Sequence, residues 1–97
     1  MVYESKLKSR ELDSFCQAVL ALENEEEVYR FLEDIATIAE INSLAQRFQV
    51  AKMLADNETY NAISEQTGAS TATISRVKRS LNYGADGYKL ILARLNK

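Results

Sequence analysis

Ser70, Thr71, Ala72, Thr73, Ser75 and Arg76 are short or hydrogen-bonding residues in one run, and Lys78 and Arg79 follow them. On a helix, side chains of this kind let one end come close to a groove floor and meet base edges. The cations just beyond can reach phosphates. Asn61 and Ser64, one segment upstream, are suited to contacts with a sugar–phosphate backbone. The chemistry these types support is binding, and bond-making chemistry lacks its residues. There is no histidine, so His-dependent general bases, Ser-His-Asp triads, Cys-His pairs and His-based metal sites are excluded. No glycine-rich loop is present to cradle a phosphate. Paired carboxylates exist, but on charge-rich helical faces. No catalytic residue and no metal ligand is assigned, and no cofactor is expected.

The run has to be held at an angle to the rest of the chain. Tyr60 to Tyr83, YNAISEQTGASTATISRVKRSLNY, reads as two short helices around a tight turn. Gly68 marks the turn, because glycine enters the left-handed region without steric cost. Ile63 stands five residues before it, and Ile74 and Val77 stand six and nine after it. These aliphatic residues can meet across the turn and fix a steep crossing, with Ser64 small enough for a close approach. The pattern is that of a helix-turn-helix over about residues 60–82. A plain helical corner shares the glycine, but it does not need a polar, cationic second helix.

Composition sets the class. The 97 residues fit one domain, 1–97, with no proline and with glycine only at 68, 84 and 87. No stretch alternates with the period of a strand, so the chain reads as all-α. Residues 1–8 are polar and expected to fray. Leu12, Phe15, Cys16, Val19 and Leu20 recur at helical spacing, predicting a helix of about four turns that ends near Leu22 or Glu23. Cys16 falls on its apolar face and is expected in the core. Asn24 is placed to cap a second helix, with Glu25, Glu26 and Glu27 in its first turn, where carboxylates favour the helix dipole. As a cation site this run fails, since neighbouring helical carboxylates point in different directions. Val28, Phe31, Leu32 and Ile35 make the second stripe. Thr37 and Glu40 form a capping box for a third helix. That helix carries Ile41, Leu44, Ala45, Phe48 and Ala51, widened by Val50, Met53 and Leu54, as a central helix would. Asp56-Asn57-Glu58 ends it, and Thr59 caps the first motif helix. After Tyr83-Gly84, Asp86 is expected to cap a sixth helix with Tyr88, Ile91, Leu92 and Leu95 on its apolar side.

Charge is unevenly spread. Residues 1–57 hold six Lys/Arg against eleven Asp/Glu, and residues 58–97 hold six against three, within a net charge of −2. The cationic part contains the motif, and the acidic part would turn away from DNA. One cysteine excludes a disulfide framework and fits a reducing compartment. With no signal peptide and no membrane-spanning run, the expectation is a cytoplasmic protein. The early helices carry more apolar face than one small domain covers, which points to self-association.

Thr67-Gly68-Ala69-Ser70-Thr71-Ala72-Thr73-Ile74-Ser75-Arg76 resembles the turn and recognition helix of the Trp repressor. Leu44-Ala45-Gln46-Arg47 and Ser80-Leu81-Asn82-Tyr83-Gly84 are similar to the subgroup called YerC/YecD. The resemblance spans roughly residues 12–95. It implies an intertwined homodimer of six-helix chains, two helix-turn-helix units meeting successive major grooves, and a bacterial transcriptional regulator, a repressor by analogy. Thr71, Ala72, Thr73 and Ser75 correspond to its base-reading positions. Arg76 matches one of two arginines that sandwich the indole of bound tryptophan, and Arg47 matches the other across a one-residue deletion. Ser80 matches a serine on the ligand side. Val77 stands where the repressor has glycine at the pocket wall. A small-molecule corepressor is therefore implied, of unknown identity, and tryptophan is expected to bind weakly or not at all.

The function expected is that of a dimeric DNA-binding regulator of double-stranded DNA. The rival is an acidic helical dimer that keeps the fold and regulates a protein partner, and a third reading is a ligand sensor with weak DNA affinity. Salt dependence separates them, because phosphate neutralisation weakens steeply with salt.

Overall fold

The computed structural model describes residues 3–96, which form six helices and no strand. These are α1 (Arg10–Leu20), α2 (Glu25–Ile35), α3 (Ile38–Ala55), α4 (Tyr60–Thr67), α5 (Thr71–Tyr83) and α6 (Gly87–Leu95). They fall into two compact units, Met1–Thr37 and Ile38–Lys97.

In the first unit, α1 starts where the Ser9 side chain accepts from Leu12 N at 3.0 Å. It ends at Leu20, short of the expected Leu22 or Glu23, and Ala21 closes it with αR backbone. The expectation of a frayed start also needs correction. Residues 5–8 make a turn, with Lys8 N bonded to Ser5 O at 3.2 Å, and Lys8 pairs with Asp13 at 2.8 Å. Residues 1 and 2 of that expected frayed segment lie outside the described residues. Asn24 caps α2 as expected, accepting from Glu27 N at 3.0 Å. The acidic run is engaged locally: Glu26 pairs with Arg30, and Glu27 accepts from Glu23 N. Phe15 and Phe31 stack at 5.8 Å between α1 and α2. Yet no residue of either helix is buried. Cys16, expected in the core, is exposed. Periodicity identified the apolar face correctly, but a face is not buried until something covers it.

The second unit has a closed core. Val50, Ala51 and Met53 of α3, Ile63 of α4, Ala69 of the turn, and Ile74 and Val77 of α5 form one buried cluster, with Leu54, Tyr60 and Tyr88 packed against it. α3 is central here, contacting α4, α5 and α6. Only its C-terminal half is covered; Ile38 and Leu44 remain exposed. Asn57 takes positive φ, and Glu58 N bonds back to Met53 O, which ends α3 at the expected place. Asp86 does precede α6, but with positive φ and no side-chain capping bond. Its carboxylate faces Lys89 at 4.0 Å instead. Of the expected stripe on α6, Leu92 is buried and Tyr88 half-buried, whereas Ile91 and Leu95 are exposed.

Candidate nucleic-acid interface

The motif is built from its turn outward. Thr59 caps α4, accepting from Ala62 N at 3.1 Å. Gly68 then takes φ +74°, and its N–H bonds to Ser64 O at 2.9 Å. The Thr67 hydroxyl donates to Ile63 O at 2.7 Å and accepts from Ala69 N at 3.1 Å. Ser64 itself is exposed, so its small size does not serve the helix crossing. The small residue buried beside the turn is Ala69. Ser70 caps α5, accepting from Thr73 N at 3.1 Å, and its hydroxyl donates to Thr73 Oγ1 at 3.1 Å.

α5 is divided lengthwise. Ile74 and Val77 are buried in the core. On the opposite side Thr71, Ser75 and Arg79 follow at i, i+4 and i+8, with Ala72 and Arg76 in the next row, and all five are exposed. Asn61 and Ser64 on α4 are exposed, as are Ser70 and Lys78. Thr73 differs from its neighbours. It is half-buried, tied to Ser70, and set on the flank. Among the described residues no carboxylate pairs with Arg76, Lys78 or Arg79. Lys78 lies 5.8 Å from the centroid of the Tyr60 ring, a contact that braces α5 on α4.

The expected effector residues also come together. Arg47, Arg76, Val77 and Ser80 line one cavity of about 210 Å³, with Thr73 and Tyr88. The offset of Arg47 along the chain therefore does not remove it from the site. Val77 is only 3% exposed and belongs to the core, so it forms part of the cavity floor rather than projecting across it.

Sequence reasoning missed Tyr60, Tyr88 and Gln46. Tyr88 was read only as an apolar residue of the last helix. Tyr60 was read only as a boundary. Gln46 donates from Nε2 to Thr67 O at 3.0 Å, a contact without any local spacing signal.

The family model for the Trp repressor protein matches residues 10–96. The chain belongs to the Trp repressor family. Within it, the chain is 54% identical over 92 residues to the uncharacterised protein YerC of Bacillus subtilis (strain 168), covering 95% of this chain and 88% of that one. Its fold matches a TrpR-like protein from Eubacterium eligens ATCC 27750 with a TM-score of 0.91 and 57% identity, over 94% of both chains. It also matches a Staphylococcus aureus protein provisionally assigned as a Trp repressor, with a TM-score of 0.90 and 55% identity, over 94% of this chain and 91% of the other. The family is thus that of a regulator, the Trp repressor. No helix among the described residues is long and apolar enough to cross a membrane.

Proposed function

We propose that the protein is a cytoplasmic, sequence-specific transcriptional regulator, a repressor by family, that binds double-stranded DNA as a homodimer. The supporting observation is the lengthwise division of α5: an exposed face of small polar and cationic side chains opposite two buried aliphatic residues. In this reading residues 1–97 act as one DNA-binding domain. Thr71, Ala72 and Ser75 meet base edges. Arg76, Lys78 and Arg79 hold phosphates, with Asn61, Ser64 and Ser70 at the backbone. Thr73 stands at the edge of this face and joins it to the cavity beneath.

The cavity of Arg47, Arg76, Val77, Ser80 and Tyr88 is the proposed effector site. Its two guanidinium groups and the hydroxyls of Thr73, Ser80 and Tyr88 suit an anionic small molecule. Its volume of about 210 Å³ lies under the roughly 300–1,000 Å³ of ordinary ligand pockets. Tryptophan is accordingly expected to bind weakly. Titration calorimetry with L-tryptophan checks this: a micromolar dissociation constant would overturn the argument from size.

The DNA reading is tested by selecting bound sequences from a random pool and measuring affinity against salt. The double variant Arg76→Ala, Arg79→Ala should weaken binding to every sequence. Its plot of log affinity against log salt should be shallower by about 0.9 for each lost phosphate contact. No binding by the parent protein at low salt would favour the protein-partner reading instead.

A further inference from the structure

The Gln46–Thr67 bond belongs neither to the exposed face of α5 nor to the cavity. It joins residues 21 apart, at a part-buried position, and it ties α3 to the motif turn. Its acceptor is special. Thr67 is the last residue of α4, and the final carbonyls of a helix have no partner in their own ladder. Several other groups of the turn have local partners. Gly68 N reaches Ser64 O, and the Thr67 hydroxyl serves Ile63 O and Ala69 N. The local bonds fix the shape of the turn, and the Gln46 amide ties that shape to α3.

We propose that Gln46 is a positioning residue: its bond to the Thr67 carbonyl sets the attitude at which the turn, and with it α5, is held on α3. Its neighbour Arg47 lines the cavity beside Arg76. Consecutive helical residues point about 100° apart, so α3 addresses the turn with one residue and the cavity with the next. A displacement of this part of α3 at the cavity is thereby carried to the turn. The consequence for DNA rests on the regulator reading above, whereas the hold on the turn does not.

The test uses the full chain with three substitutions. Q46M keeps the length and removes the donor, Q46E removes the donor with a different head group, and Q46K restores a donor. Amide exchange of the free protein is measured at Gly68, Ala69 and Thr73, with Leu90 as the reference in α6. Exchange at the turn should quicken about fivefold in Q46M and Q46E, the factor expected for one hydrogen bond of ordinary net strength, and return toward the parent rate in Q46K. On DNA, the ratio of selected-site to random-sequence affinity should fall by a similar factor in Q46M, with the salt slope unchanged and Q46K restoring it. Unchanged exchange in both donor-free variants overturns the proposal. So does an equal loss on all sequences that follows a lowered melting temperature, which would mark a merely structural bond. If the parent protein binds no DNA, the regulator reading fails, and the exchange measurement alone decides whether Gln46 holds the turn.

Discussion

Two glycines bracket the second motif helix, for different physical reasons. Gly68 has positive φ and open space around the position of a Cβ. Any cost of substitution there is the left-handed backbone itself, about 1–2 kcal/mol for an ordinary residue. Asparagine tolerates that region, so Gly68→Asn should cost less than Gly68→Ala. Gly84 has negative φ, but a Cβ would overlap the Ser80 carbonyl group. The obstacle is backbone and cannot swing away. Gly84→Ala and Gly84→Asn should therefore destabilise alike, by on the order of 1–3 kcal/mol. Urea denaturation of the four variants checks this, and a better-tolerated asparagine at 84 would refute the steric account. Gly68 was legible because its role is local and lies in its own φ. Gly84 was legible only as a helix stop. Its true constraint, the closeness of a carbonyl four residues back, comes from the backbone path of the helix end.

At the scale of the element, α5 separates what packs from what faces solvent. Ile74 is fully buried, and Ile74→Ala should cost about 2–5 kcal/mol of stability. Ser75→Ala, on the open side, should stay within about 0.5 kcal/mol. Ser70→Ala removes the cap of α5 and should cost about 1 kcal/mol. Because the Ser70 hydroxyl also donates to Thr73 Oγ1, the loss of Ser70 should release Thr73 as well. Thermal melts of the three variants give this order directly. The helices themselves were readable from period and cap chemistry, since both depend on near neighbours. The flank position of Thr73 follows from helical period, four residues before buried Val77, but its polar type masked it. Gln46 was not readable, because its partner is on another helix.

The whole molecule leaves much apolar surface uncovered. No residue of α1 or α2 is buried, and Phe15, Val19, Leu20, Val28 and Ile35 are exposed, as are Ile38 and Leu44 on α3. Soluble monomers rarely leave so many large apolar side chains in contact with water. The expected occupant of these faces is a second copy, and the isolated monomer should not be stably folded. The melting temperature should then rise with protein concentration. A concentration-independent melt with monomer mass in solution would exclude this. The sequence displayed the apolar excess but assigned part of it, including Cys16, to an internal core. Hydrophobic period records which side avoids water and is silent on whether the cover comes from the same chain.

The lengthwise division of α5 has a consequence for how such proteins diversify. Thr71, Ala72 and Ser75 are exposed and outside the buried cluster. Replacing them should not disturb Ile74 or Val77. A library randomised at these three positions should therefore remain largely folded and, on the proposed DNA reading, its preferred sequences should scatter. A lineage carrying this scaffold could acquire new target sites by single steps, each selected for what it binds and almost free of any demand to keep the protein intact.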